Sequence, residues 1–148
     1  MSKGASSTYW RCEASLRIDY VTYSTITVGV NNSAGGYVSP TGGSYYTGET
    51  FSVSATPYSG YVFSGWANSN GGIITTANPY SFTVGNNTTF YAVFTGITYY
   101  VEYDGNGATS GSTSKSTHTY GTSSTLTANG FGRAGCTFLG WSADKYAK

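Results

Sequence analysis

The chain has 148 residues, which is enough for one or two small domains with thin cores. Charged side chains make up only 9% of it and the net charge is +1, so no basic surface exists to hold a phosphate backbone, which argues against nucleic acid as a partner. The 15 Tyr and 21 Gly, with abundant Ser, Thr and Asn, predict a β-rich chain with many turns.

The N-terminal segment Trp10–Val21, "WRCEASLRIDYV", alternates apolar and charged or polar residues. Period-two alternation predicts a strand with one buried and one solvated face, although "ASLRIDY" also allows a short helix. The first twenty residues hold no continuous apolar run, and no segment approaches the ~18 apolar residues of a membrane span. The sequence therefore predicts neither an export signal nor membrane insertion.

Further predicted strands follow, separated by segments rich in Gly, Asn and Pro. They are "TITVGV" (Thr25–Val30), "TFSVSATP" (Thr50–Pro57), "GYVFSGWA" (Gly60–Ala67), "YSFTV" (Tyr80–Val84), "TTFYAVF" (Thr88–Phe94), "TYYVEY" (Thr98–Tyr103), "STLTA" (Ser124–Ala128) and "CTFLGW" (Cys136–Trp141). No other segment has a convincing helical period of 3.6 residues.

The two halves of the chain repeat one another at an offset of 74 to 75 residues. Four positions correspond: Tyr46 with Tyr120, Gly60 with Gly135, Phe63 with Phe138, and Trp66 with Trp141. In the first copy 28 residues lead from Trp66 to Phe94, where "YAVF" ends, whereas only seven follow Trp141. The second copy is therefore expected to lack its last strands.

The frame Gly-x-x-Phe-x-Gly-Trp in both copies carries a family resemblance. The second copy, "YYVEYDGNGATSG…LTANGFGRAGCTFLGWSADKYA", resembles the Listeria/Bacteroides or internalin-type B repeat, and the first, ending in "NPYSFTVGNNTTFYAVF", resembles its divergent version. The resemblance implies small β-grasp-like modules, strung in tandem on exported or surface-bound proteins as spacers or adhesive elements without known chemistry. Cys136 departs from it, since an aromatic residue is usual there.

The predicted fold is thus mainly β, with two small tandem β-grasp-like modules after an extra N-terminal strand segment. The predicted boundaries are 1–24 for that segment, 25–96 for the first repeat and 97–148 for the second, incomplete repeat.

The frame residues are predicted to be structural: Gly60, Phe63, Gly65, Trp66, Gly135, Phe138, Gly140 and Trp141. Phe63 and Trp66 are three residues apart and would face opposite ways on a regular strand, unless Gly65 permits a β-bulge that turns both inward. The same holds for Phe138 and Trp141. A core tryptophan is favoured over an exposed sugar-stacking platform, because a buried aromatic stabilises a core that has few aliphatic residues.

Groups for catalysis are scarce, since the chain has six carboxylates and one histidine. His118 lies in the polar stretch "SKSTHTYG" and is predicted to be a solvated loop or edge residue. Asp104 and Asn106 alternate in "DGNG" as at the start of a calcium loop, but no acidic residue follows at the spacing such a loop needs, so a hairpin turn is favoured. No catalytic residue, cofactor or metal site is predicted.

Cys12 and Cys136 form no C-x-x-C pair. Buried free thiols are favoured, with a long-range disulfide as the alternative.

Tyrosines provide the only candidate binding surface. Tyr beside Ser, Gly and Asn is typical of surfaces that bind proteins and glycans, although about half of the tyrosines are expected to face inward and form cores. Tyr45, Tyr46, Tyr99 and Tyr100 are the predicted surface residues, and at least one of the adjacent Tyr45 and Tyr46 is expected to face outward.

The predicted function is a non-catalytic spacer or adhesion module of a bacterial surface protein. The alternative is a structural protein of a bacteriophage virion, such as a tail fibre, spike or head decoration, which needs no export signal. Expected partners are a protein or glycan on a cell surface, or neighbouring subunits of a larger assembly. The expected location is extracellular or at the cell surface, or alternatively in the virion.

Overall fold

The computed structural model describes residues 20–144, which form strands and turns with no helix among them. Its strands are β1 (Tyr23–Val30), β2 (Gly36–Ser39), β3 (Gly42–Tyr46), β4 (Thr50–Pro57), β5 (Tyr61–Asn68), β6 (Ile73–Thr75), β7 (Tyr80–Thr83), β8 (Thr88–Gly96), β9 (Thr98–Val101), β10 (Ser110–Gly111), β11 (Ser116–Thr119) and β12 (Phe131–Gly132). The predicted mainly β class is confirmed. Of the predicted N-terminal strand, residues 10–19 lie outside the described residues, and Tyr20 and Val21 are exposed and not in a strand.

A five-stranded sheet, in the order β3-β1-β8-β5-β6, forms the larger half of the first repeat. β1 and β8 lie side by side in this sheet and run parallel, with Ile26 opposite Thr88 and Val30 opposite Ala92. The other neighbouring strands are antiparallel. A parallel pair needs a long crossover, and the strands from β2 to β7 supply it.

A second sheet, in the order β2-β4-β7, packs against the first. Alternate residues of β1 and β4 are buried, which is the period-two pattern expected of strands with one face on a core. The core comprises Ile26, Val28, Val38, Phe51, Val53, Ala55, Trp66, Val84, Phe90, Ala92 and Phe94. The described residues contain no helix, so the second sheet covers the buried face of the first.

β5 contains a β-bulge beside Gly65. Phe63 pairs with Phe94 and Gly65 pairs with Val93, so Ser64 is an extra residue in β5. Gly65 has a φ of +147°, a value that L side chains rarely adopt. The bulge lets the rings of Phe63 and Trp66 meet edge to face, with 5.3 Å between their centroids.

The second repeat contains two short antiparallel ribbons, β9 with β11 and β10 with β12. The predicted strands Ser124–Ala128 and Cys136–Trp141 are wrong, since neither segment forms a strand. Side chains instead satisfy the backbone of Thr127: its N–H donates to the Tyr103 hydroxyl at 2.8 Å, and its carbonyl accepts from the Trp141 indole N–H at 2.9 Å. At Thr127 these two side-chain hydrogen bonds take the place of the backbone bonds that a neighbouring strand would make.

Asp104–Gly107 forms a turn, but the predicted hairpin is wrong. The N–H of Asn106 donates to the Asp104 carboxylate at 2.8 Å, and the N–H of Ala108 donates to the Gly105 carbonyl at 3.0 Å. The flanking strands β9 and β10 pair with β11 and β12 and not with each other.

Candidate functional site

The frame tryptophans occupy different environments in the two repeats. Trp66 is completely buried, and its indole N–H donates to the Ala77 carbonyl at 2.9 Å. Trp141 is only half-buried, and its ring packs against Tyr103 and Phe138 with centroid distances of 4.5 and 5.0 Å. Phe138 is itself 48% exposed. The frame therefore builds a closed core in the first repeat and an open cluster in the second.

The frame glycines nevertheless share their backbone conformations. Gly60 and Gly135 have φ angles of +86° and +72°, and Gly65 and Gly140 have +147° and +153°. These angles favour glycine, which explains why the glycines of the frame occur in both copies.

One residue, Ile97, lies between the last strand of the first repeat and the first strand of the second. Its N–H donates to the Gly60 carbonyl at 2.8 Å, and its own carbonyl accepts from the Tyr120 N–H at 2.9 Å. The rings of Tyr61 and Tyr120 meet edge to face at 5.4 Å. We call Gly60, Tyr61, Ile97, Tyr120 and Gly121 the junction.

Two glycines of the junction leave no room for a side chain. A Cβ on Gly60 would lie 2.4 Å from the ring of Tyr120, and one on Gly121 would lie 2.2 Å from the hydroxyl of Tyr61. Both distances are far below van der Waals contact. Tyr120 of the second repeat therefore fills the space beside Gly60 of the first, and Tyr61 of the first fills the space beside Gly121 of the second. The two repeats therefore interlock.

Tyr45 and Tyr46 on β3 differ in exposure. Tyr45 is half-buried and packs edge to face on Phe51 at 5.0 Å, whereas Tyr46 is exposed and lies 4.6 Å from the exposed ring of Tyr23 on β1. Tyr46 is thus the outward-facing member of the adjacent pair.

Tyr99 and Tyr100 lie on β9. Tyr99 is stacked on the His118 imidazole, 5.6 Å between centroids, and Tyr100 is 63% exposed with the Lys115 ammonium 5.0 Å from its ring centroid. Because β3 and β9 belong to different sheets, the predicted tyrosine surface is divided between the two repeats.

Inward-facing tyrosines are fewer than predicted. Of the described tyrosines none is fully buried; the half-buried ones are Tyr45, Tyr61, Tyr80, Tyr91 and Tyr103. Tyr45, Tyr61 and Tyr80 pack against the core of the first repeat, but the fully buried apolar side chains are those of Phe, Trp, Val, Ile and Ala.

A polar network joins four side chains of the second repeat. The Tyr103 hydroxyl lies 2.7 Å from the Ser116 hydroxyl, which lies 2.6 Å from Nε2 of His118, and Nδ1 of His118 bonds the Ser124 hydroxyl. His118 is only 5% exposed, so the predicted solvated position is wrong. A histidine is tolerated there because both ring nitrogens have partners.

The network also shifts the Tyr103 phenol. Burial raises the pKa of Tyr103, but hydrogen bonds with Ser116 and Thr127 lower the pKa by more, and the net pKa lies below the ordinary value of about 10.

A serine and a histidine at 2.6 Å have the spacing of a nucleophile and its base. Here, however, the Ser116 hydroxyl also contacts Tyr103, and the second imidazole nitrogen meets the Ser124 hydroxyl, where a hydrolase triad places a carboxylate. A hydroxyl offers no charge to stabilise an imidazolium. The arrangement is suited to holding β11 in place.

Comparison with protein families gives two adjoining matches. The divergent InlB B-repeat domain matches residues 26–98, and the Listeria-Bacteroides repeat domain matches residues 99–148. Residues 26–148 are two B-repeats in tandem. Neither a search of curated proteins nor a search of solved structures returned a match.

B-repeats of these families are typically non-catalytic and occur in surface and extracellular proteins. Between residues 20 and 144, no helix has the length and hydropathy that crossing a membrane requires. The same part of the chain has no group of three His, Cys, Asp or Glu residues placed to hold a metal ion.

Cys136 is an exposed free thiol in the second B-repeat. The prediction of a buried thiol is wrong at this position, because the segment from 136 to 141 does not form the strand that would bury it. Cys12 lies outside the described residues.

The network and the junction were both missed by sequence reasoning. Ser116 and His118 are two residues apart on β11 and therefore share one face of the strand, which was the one signal for the network. The junction had no comparable signal, because Gly60 and Tyr120 are far apart in sequence.

We expect Tyr46→Phe to lower the pKa of Tyr23. A hydrogen bond with Tyr46 holds the pKa of the Tyr23 phenol above about 10, and burial and the Glu49 carboxylate act in the same direction. Because the folded-state pKa is the higher one, the associated stability is lost as pH rises above about 10. Carbon-13 NMR titration of the tyrosine ring carbons measures the change, with Tyr58→Phe as control; an unchanged Tyr23 pKa in Tyr46→Phe would contradict it.

We expect His118→Ala to destabilise the second B-repeat by about 2–3 kcal/mol, because the Ser116 and Ser124 hydroxyls lose a buried partner. Thr117→Ala, on the exposed side of β11, is the matched control and should have an effect within about 0.5 kcal/mol. Amide hydrogen exchange in β9 and β11 measures the difference. Equal protection in the two variants would show that the network does not stabilise the ribbon.

Proposed function

We propose that this tandem is a non-catalytic unit of a bacterial surface protein, where it acts as a rigid spacer and as a binding module. Its B-repeats support the surface setting, because repeats of this type occur in surface proteins. The junction is the observation that carries the spacer function.

Rigidity follows from the bonding of Ile97. A flexible linker needs several residues with free dihedral angles, whereas Ile97 stands alone between β8 and β9 and its backbone N–H and carbonyl are both bonded. The Tyr61 and Tyr120 rings add a second contact beside these bonds. Tandem B-repeats joined in this way hold a defined separation between the structures attached at their two ends.

The binding part of the proposal rests on exposed aromatic surface. Tyr23 with Tyr46, and Tyr100 beside Lys115, offer large rigid rings among small polar residues, a composition typical of surfaces that bind proteins and glycans. The partners proposed are a protein or glycan on a cell surface.

Spin-label distances test the rigid spacer. In a Cys12→Ser, Asn70→Cys variant, one label sits on Cys136 and the other at position 70, in the exposed β5–β6 turn of the first B-repeat. We expect one narrow distance distribution. Inserting four Gly-Ser residues after Ile97 is the control and should broaden it. A distribution equally broad without the insertion would overturn the spacer function.

Intact mass and light scattering of the protein from its natural source test the setting. We expect the repeats within a long polypeptide that carries an export signal. The chain found as a subunit of a large symmetric particle would instead establish the alternative, a virion protein.

A further inference from the structure

A half-enclosed cleft lies at one edge of the first B-repeat. Its volume is about 330 Å³, which is at the lower end of the range for small-molecule sites. β6, β7, the turn after β7 and β8 line it, mainly through Ile74, Tyr80, Phe82, Thr83, Asn86 and Thr88. The cleft contains none of the predicted surface tyrosines.

One wall of the cleft is aromatic and rigid. The rings of Tyr80 and Phe82 are stacked on each other at 5.2 Å, and both stand edge to face against the buried Phe90, at 5.9 and 5.8 Å. Tyr80 and Phe82 are half-buried, so this packing fixes rings that remain partly open to the cleft. Such a wall offers apolar contact with little further loss of side-chain entropy on binding.

The rest of the lining supplies hydrogen-bonding groups. The Asn86 amide and the Thr83 hydroxyl bond no other described residue, and the Thr88 hydroxyl donates to the Asn86 carbonyl at 2.9 Å, which braces the turn. β7 is the outermost strand of its sheet within the described part of the chain. An edge strand leaves alternate backbone N–H and C=O groups unpaired, so donors and acceptors stand next to the aromatic wall.

None of the described residues that line the cleft is charged. From Tyr20 to Val101 the sequence contains one residue that is Asp, Glu, Lys, Arg or His, namely Glu49, and Glu49 does not line the cleft. An ionic ligand would give up hydration here without gaining an opposite charge, which is unfavourable. A cleft of this composition therefore selects a neutral ligand.

We propose that this cleft binds a pyranose unit of a neutral glycan. A pyranose combines an apolar C–H face, which fits the ring surfaces of Tyr80 and Phe82, with hydroxyl groups that bond Asn86, Thr83 and the free edge of β7. The cleft is separate from the exposed tyrosine surface, so the proposal goes beyond the proposed function and adds a second binding site with its own ligand class.

Amide NMR spectra of the full chain, titrated with methyl β-D-glucopyranoside, methyl β-D-galactopyranoside or methyl N-acetyl-β-D-glucosaminide, test it. We expect at least one sugar to cause saturable shifts confined to residues 80–88 and their cleft neighbours. Asn86→Ala should raise Kd about fivefold, the effect of one lost hydrogen bond, and Asn70→Ala, an exposed asparagine in the β5–β6 turn, should leave Kd unchanged. Methyl β-D-glucuronide, the charged analogue of the glucoside, should bind no more tightly than the neutral sugar.

The glycan site would be overturned if none of the sugars caused a saturable shift at residues 80–88, or if the shifts were centred elsewhere. Equal Kd values for Asn86→Ala and the native chain would also overturn it, as would tighter binding of the glucuronide than of the neutral glucoside. Tighter binding of an uncharged extended peptide along β7 would also replace the glycan with a strand-adding partner. Thr83→Ala provides a second test if Asn86→Ala disturbs the fold, which the same spectra report. If no sugar binds but the spin-label distance distribution is narrow, the glycan site fails and the spacer function stands. If a sugar binds but the distance distribution is broad, only the spacer function fails.

Discussion

Trp66→Ala is expected to lower the free energy of unfolding of the first B-repeat by about 3–5 kcal/mol. The indole is completely buried, it packs edge to face against Phe63 and Phe90, and its N–H satisfies the Ala77 carbonyl. Removing it leaves a large cavity and one carbonyl without its donor. Urea unfolding followed by amide NMR signals of β1 and β8 measures the loss within that repeat.

Trp141→Ala is the matched control, because Trp141 occupies the same position of the second B-repeat but is half-buried. We expect it to cost about half as much, since less apolar area is lost. Equal losses of unfolding free energy in the two variants would contradict the expectation that each tryptophan stabilises its repeat in proportion to its burial.

Gly60→Ala is expected to cost about 2–4 kcal/mol and to loosen the junction. Part of the cost is backbone strain, because the φ of Gly60 is +86°, and the larger part is the clash of the new Cβ with the ring of Tyr120 at 2.4 Å. Since Tyr120 must move to relieve the clash, the spin-label distance across the two repeats should broaden together with the loss of stability.

Gly71→Ala separates strain from clash. Gly71 has nearly the same φ, +83°, but no atom within 4 Å of an added Cβ, so we expect a cost of about 1 kcal/mol and an unchanged label distance. Tyr120→Ala in the Gly60→Ala background removes the clashing ring. If Gly60→Ala lowered the free energy of unfolding no more than Gly71→Ala does, the Tyr120 ring would have moved aside without cost, and the junction would not be rigid.

The strands of the first B-repeat were predictable because each carries a local signal. β4 alternates buried Phe51, Val53 and Ala55 with exposed Ser and Thr, and "ANP" and "GNN" bound β7. The position of Gly65 before Trp66 also indicated the bulge, because two large side chains three residues apart otherwise face opposite ways.

The second B-repeat was harder because its local patterns resemble those of the first while its bonding differs. "STLTA" alternates like a strand, yet the backbone of Thr127 bonds the Tyr103 hydroxyl and the Trp141 indole. His118 stands among polar residues in the sequence, and only the pairing of β9 with β11 places it beneath Tyr99. The burial of a polar side chain depends on partners that are remote in sequence.

The candidate sites were the least predictable part. The cleft requires Ile74 on β6, Tyr80 on β7 and Thr88 on β8 to converge, and the junction requires Gly60 to meet Tyr120. Neither arrangement leaves a periodic pattern in the sequence, because each joins residues that only the folded chain brings together.

The parallel pairing of β1 with β8 has a mechanical consequence. The chain enters the first B-repeat at the start of β1 and leaves it at the end of β8, and because these strands are parallel neighbours, those two points lie at opposite ends of the same ladder. A pulling force along the chain therefore slides β1 past β8 and loads the hydrogen bonds between Ile26–Val30 and Thr88–Ala92 together, where an antiparallel hairpin would unzip one bond at a time. A protein built from such units is therefore expected to resist tension applied between its two ends.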